Sequence, residues 1–194
     1  RRQRQMCIRD RAITAQIIMN SSKRYKKSEL INFTYNILKK VGLNNSNSKI
    51  ISDLIIRADE RGVWSHGIVR LPVYVNRIEK KAAKKNPNFK FKKISNNIFH
   101  LSGDNGLGYL AANAGIKKCV SLAKEKGIGL VAISKSNHFG MAANYLEFAS
   151  KNKCIAWVYT NASKALPPHG AMAPFFGTSP FACLLYTSDA ADDP

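Results

Sequence analysis

The chain has 194 residues, 45% of them apolar, which is enough for a sizeable core in one large or two small domains. Its 31 Lys and Arg against 12 Asp and Glu give a net charge of +19, which suits anionic partners in general. No apolar run approaches the ~18 residues of a membrane span, and the four cysteines (Cys7, Cys119, Cys154, Cys183) lack the CxxC spacing of a zinc site or a disulfide framework.

In chain order, "RRQRQMCIRDR" (1–11) has no periodicity and resembles translated sequencing-adapter reads, as does "CLLYTSDAADDP" (183–194). The expectation is therefore that about 12–182 is the biological part and that the chain is a fragment of a longer protein. The stretch "KKSELINFTYNILKKVGL" reads as an amphipathic helix with Ser28 as N-cap. Leu30, Ile31, Phe33, Ile37, Leu38 and Val41 form its apolar side, and Gly42 is the stop. A second helix is expected over 47–61, with Ile50, Ile51, Leu54, Ile55 and Ala58 inside and Gly62 ending it. A third begins after Ser65 and runs towards Lys84, bent or broken at Pro72. The dense basic run "RIEKKAAKKNPNFKFKK" (77–93) reads as a solvated helix end and a loop. Residues 12–93 thus form a mainly helical region.

From 94 onward the pattern changes to strand, helix, strand, helix, strand: "NIFHLSG", 108–126, 128–134, 140–151 and "CIAWVYT" (154–160). This alternation predicts an α/β fold with part of a buried sheet over 94–182, behind the helical N-terminal layer. "NASKALPPHGAMAPFFGTSP" is a long Gly/Pro-rich loop, a type that often carries binding chemistry.

Several stretches hold candidate chemistry. "GDNGLGYLAA" (103–112) is either a tight structural turn or an anion-binding one, but its spacing is not GxGxxG and no acidic residue ends the next strand, which excludes a Rossmann fingerprint. In "ERGVWSHGIVR" (60–70), Ser65 can cap a helix, with His66 in its first turn and Arg70 four residues on along the same face. A guanidinium fork beside an imidazole is a carboxylate-binding pair, and a helix N-terminus should lower the histidine pKa. In "SNHFG", His138 lies just past the carboxyl end of a strand, where ligand chemistry sits in parallel sheets, and it can serve as general acid or base. Asn137 either orients that ring or touches a ligand. The competing reading for each histidine is a structural one, and His100 and His169 are read that way. No metal-binding spacing occurs, so no metal is expected.

Four segments in order, "ADERGVWSHGIVRLPVYVNRI", "LSGDNGLGYLAA", "GIGLVAISKSNHFGMAANY" and "YTNAS…APFFGTSPFA", resemble the malate/L-lactate dehydrogenase family, which is unrelated to the Rossmann lactate and malate dehydrogenases. The resemblance implies a non-Rossmann NAD(P)-binding α/β domain, truncated here. It further implies an NAD- or NADP-dependent oxidoreductase of 2-hydroxy and 2-oxo acids, or alternatively a reductase of cyclic imino acids. His138 would carry the proton, and His66 and Arg70 would be catalytic and hold the substrate carboxylate, with Ser65 and Asn137 in the substrate site. Thr160, Asn161, Ala162, Ser163, Gly177 and Thr178 would lie at the cofactor. Many members carry Asp where this chain has Trp64, and their GTNP stands here as Gly177-Thr178-Ser179-Pro180. The implied partners are a small carboxylate and a second subunit in a homodimer, in the cytoplasm that the cysteine pattern also suggests. Neither nucleic acid nor membrane is expected. The competing class is a basic, non-catalytic nucleic-acid-binding module, disfavoured because the lysines are spread along the chain without a recognition motif.

Overall fold

The computed structural model describes residues 23–184, so the expectations placed on 1–11 and 185–194 lie outside the described residues. Three helices come first: α1 (Lys27–Lys40), α2 (Asn45–Glu60) and α3 (Leu71–Glu79). Helix α1 starts one residue before Ser28, whose expected capping role is not realised. Lys26 stands at the N-cap without a side-chain bond, and its carbonyl accepts from Glu29 and Leu30. The Lys27 ammonium, 2.8 Å from Glu60, ties the start of α1 to the end of α2. Asn44 caps α2, its side chain accepting from the Asn47 N–H at 2.8 Å.

Leu38, Ile51, Leu54 and Ile55 form the helical core as the periodicity predicts. Phe33, expected on that apolar side, is instead 55% exposed, while Thr34 beside it is fully buried. The helices pack with the small residues Thr34, Ser48 and Ser52 at 0% exposure, which allows a close approach that a phenyl ring would block. Gly42 and Gly62 adopt φ of +99° and +72°, the left-handed conformation that stops each helix.

The second layer holds β1 (Lys90–Lys93), β2 (Ile98–Gly106), α4 (Gly108–Lys126), β3 (Leu130–Ser136), α5 (Leu146–Lys151), β4 (Ala156–Tyr159) and β5 (Phe181–Leu184). Strands β1 and β2 pair antiparallel, β2 and β3 parallel, and β4 and β5 form a separate antiparallel pair. Helix α4 packs on β2 and β3, bringing Ile133 against Gly115. The sheet is less buried than expected: β2 hides Leu101, Gly103 and Gly106, but most of β3, at the edge of the sheet, is exposed.

Two strands differ from the sequence reading. β1 lies within the basic run read as helix end and loop; its "KFKK" is exposed throughout, so no apolar face signals it. β5 includes Cys183 and Leu184, placed by the sequence beyond the last element; both pair with β4. The 103–106 turn is a bulged strand end, with Asp104 and Asn105 at φ of +48° and +54°. Asp104 receives Lys84 at 2.6 Å and the Asn88 N–H at 3.0 Å, which ties the turn to the stretch before β1. His100 bonds across strands to Ser134 Oγ at 2.9 Å, also a structural role. Among the described residues no helix is long and apolar enough to cross a membrane.

Candidate active site

The segment carrying His66 and Arg70 is not the helix start the sequence suggested. Two 3₁₀ turns, Trp64–His66 and Ile68–Arg70, precede α3, and Pro72 lies in the first turn of α3. Proline is tolerated there because first-turn N–H groups have no intrahelical partner. Ser65 therefore caps nothing; its hydroxyl bonds His66 Nδ1 at 2.9 Å, and its carbonyl accepts from Arg70 Nε at 2.6 Å. Asp59, near the end of α2, anchors this double turn by accepting the Ile68 N–H at 2.7 Å. Gly67 lies so close to the Asp59 carboxylate that a Cβ would overlap it. Burial raises the Asp59 pKa, opposed by the Ile68 bond. The His66 pKa is lowered as expected, but through burial and the Arg70 charge, with no helix N-terminus involved.

His138 sits two residues past β3, whose last residue Ser136 pairs with Gly106 of β2, so the parallel arrangement puts it at the carboxyl edge as predicted. The Asn137 N–H donates to the Gly106 carbonyl at 3.2 Å, and the Gly108 N–H to the His138 carbonyl at 3.1 Å. Any side chain at position 108 would collide with the Asn137 carbonyl, so the tight strand-to-loop passage requires glycine there. The Asn137 amide donates to Asn105 and Gly106 oxygens at 3.0–3.1 Å and accepts from Arg77 Nη1 at 2.8 Å. It anchors the loop and Arg77, and among the described residues it makes no hydrogen bond to the His138 ring.

Buried Asn144 fixes this loop to the helical layer, donating to the Leu54 carbonyl at 2.9 Å. The two layers thereby bring the histidines together: the His66 and His138 rings stack 5.5 Å apart with 24° between their planes. Burial, followed by the charges of His66, Arg70 and Arg77, pushes the His138 pKa down to about 4. Nδ1 of His138 meets the Tyr74 hydroxyl at 2.8 Å, just as Nδ1 of His66 meets Ser65. In both rings Nε2 is the nitrogen without a protein hydrogen bond among the described residues. Two such nitrogens beside the Arg70 guanidinium can hold a carboxylate and exchange a proton with a neighbouring oxygen.

Tyr74 was absent from the sequence candidates. Its signal was the spacing of Arg70, Tyr74 and Arg77, which α3 gathers on one side, but a tyrosine at a core position reads first as packing. Burial raises its pKa, and that of Tyr109 against it.

The expected cofactor residues form a second cluster. The Thr160 N–H donates to the Pro180 carbonyl at 3.2 Å, joining the stretch after β4 to the stretch before β5. Gly177 is pressed against the Ala162 carbonyl, so Thr160–Ser163 and Gly177–Thr178 lie side by side. Asn161, Ala162 and Ser163 are exposed. Among the described residues no group of three or more His, Cys, Asp or Glu side chains converges on a metal position.

Comparison with known proteins agrees with the fold. The model of the family described as malate/L-lactate dehydrogenase matches residues 25–190. A malate/(S)-sulfolactate dehydrogenase of Methanothermus fervidus is 38% identical over 153 residues, covering 79% of this chain and 45% of that protein. A malate dehydrogenase of Pyrococcus abyssi is 34% identical over 159 residues, covering 82% and 44% respectively. The solved malate dehydrogenase of Pyrococcus horikoshii OT3 superposes with a TM-score of 0.80 at 32% identity, over 83% of this chain and 46% of its own. The chain thus spans about half the length of the relatives it matches. It belongs to the malate/L-lactate dehydrogenase family.

Proposed function

We propose that the protein is a nicotinamide-dependent oxidoreductase interconverting a 2-hydroxy acid and its 2-oxo acid, and that this chain carries the proton-transfer and carboxylate-binding groups. The observation that carries the reading is the stacked His66–His138 pair beside Arg70, drawn from two structural layers. Arg70, held by its Nε to Ser65, keeps its terminal nitrogens for the substrate carboxylate and so fixes the C2 carbon. His138 then exchanges a proton with the oxygen on C2 through Nε2. His66 supplies the neighbouring contact that fixes that oxygen.

The paired loops fit a nicotinamide nucleotide in their chemistry: exposed polar groups of Asn161–Ser163 and Thr178, beside half-buried Thr160, suit carboxamide and ribose groups, next to the close backbone packing at Gly177. When bound there, the nicotinamide supplies the hydride acceptor or donor. NAD and NADP both remain within the proposal.

A homodimer in the cytoplasm completes the reading. Exposed Trp157, Tyr159, Phe175, Phe176 and Phe181 support burial against further protein, and unpaired Cys119, Cys154 and Cys183 support a reducing compartment. The test is an absorbance screen of the full-length protein with NADH and NADPH against 2-oxo acids and cyclic imino acids. Turnover of 2-oxo acids is expected. Turnover of cyclic imines alone would move the substrate class, and no turnover of any compound would overturn the reading.

A further inference from the structure

We infer that Tyr74 is a positioning residue that holds the resting His138 ring in its Nε2–H tautomer, with the Tyr109 hydroxyl donating to the Tyr74 oxygen from behind. Tyr74 is 1% exposed and Tyr109 0% exposed, so both hydroxyls depend on protein partners. They meet at 3.1 Å, and the Tyr74 oxygen lies 2.8 Å from His138 Nδ1. No other partner of the Tyr109 hydroxyl occurs among the described residues.

Two directions are open to this chain of hydroxyls. If Nδ1–H donates to Tyr74, one buried hydroxyl hydrogen is left with no acceptor, that of Tyr109 when Tyr74 donates to it or that of Tyr74 when Tyr109 does. If Tyr109 donates to Tyr74 and Tyr74 to Nδ1, every hydrogen is used. The backbone decides the same way: the Gly140 N–H, which can only donate, points at Nδ1 from 3.3 Å. Nδ1 is thus an acceptor twice over, and the single ring proton belongs on Nε2. The geometry of the rings holds the arrangement. Tyr74 and Tyr109 meet edge to face at 5.4 Å, and Gly140, at φ +76°, lies against the Tyr109 ring where a Cβ would not fit.

The consequence, which rests on the proposed reaction, is that the resting site offers a hydrogen bond to a carbonyl oxygen and so receives the 2-oxo acid ready aligned. Taking a proton from a hydroxy acid requires a free Nε2, hence a reversal at Tyr74. That hydroxyl can accept as well as donate, which a phenylalanine cannot do.

The test is ¹⁵N NMR of the histidine rings in the full-length protein, without cofactor, at neutral pH. The wild type should show His138 with Nδ1 unprotonated and Nε2 protonated. Tyr74→Phe, which leaves only the 3.3 Å contact from the Gly140 N–H at Nδ1, should give a mixture of tautomers, while Tyr109→Phe, which leaves Nδ1 as the acceptor for the Tyr74 O–H, should keep the wild-type tautomer. A protonated Nδ1 in the wild type, or an unchanged tautomer in Tyr74→Phe, would overturn the inference. If Tyr74→Phe does not fold, the wild-type spectrum and Tyr109→Phe decide, a shift of the latter towards Nδ1–H being the contrary result. As a second readout, Tyr74→Phe should lower kcat at least about tenfold with KM nearly kept. The spectra read the ring without turnover, so failure of the oxidoreductase reading would not imitate failure of this one.

Discussion

The Asn144 amide, buried behind the loop that carries His138, donates to the Leu54 carbonyl in the middle of α2, and this bond joins the two layers that face each other across the candidate site. His66 follows α2 in chain order and His138 precedes Asn144, so the joint sets how closely the imidazoles approach.

Replacing Arg70 with Lys removes the fork and also the Nε bond to Ser65. The expected result is a KM for the 2-oxo acid raised roughly ten- to hundredfold, the scale of a charged hydrogen bond, with kcat changed less. Steady-state kinetics on the purified variant checks it; unchanged KM and kcat would refute the carboxylate role.

Asp59 acts further out. Its carboxylate accepts the Ile68 N–H and packs on Gly67, so Asp59→Ala frees the double turn that presents His66. A stability loss of about 1–3 kcal/mol is expected, with a raised KM. Asp59→Asn keeps an acceptor oxygen and should lose less. Denaturant melts of both variants give the comparison, and equal stability of all three proteins would contradict the role.

The pH dependence follows from His138. In the unfolded chain it charges near 6.5, and in the fold at about 4, because burial and the His66, Arg70 and Arg77 charges oppose the imidazolium. Between these values the unfolded chain binds more protons, so this residue makes stability fall as pH drops through that window, and contributes no slope above it. The proton-accepting neutral ring persists through the same window. Hydroxy-acid oxidation should therefore lose kcat/KM only towards about 4, measured as a pH–rate profile. A limb near 6.5 assignable to His138 would contradict this.

Much of the site was legible because its residues sit where patterns change. "IGLVAIS" reads as a strand, and the histidine after it falls at the parallel sheet's carboxyl edge in the fold. The Ser65–Arg70 stretch was legible in composition but not in geometry: Gly67 and Pro72 divide a nominal helix into tight turns, and the pull of Asp59 on Ile68 comes from another element. Tyr74 was hidden because its value depends on His138 arriving from the other layer, a long-range contact with no local signature. Strand β1 escaped because "KFKK" has no buried face, and β5 because its partner β4 lies more than twenty residues upstream.

The measurement that bears most directly on the central claim is the turnover of His138→Asn in the full-length protein with its best 2-oxo acid and reduced cofactor. Asparagine fits the space and cannot relay a proton at neutral pH. The account predicts a kcat lower by at least ~10²-fold with melting behaviour unchanged. A variant that folds as the wild type does and turns over at a near-wild-type rate would contradict it.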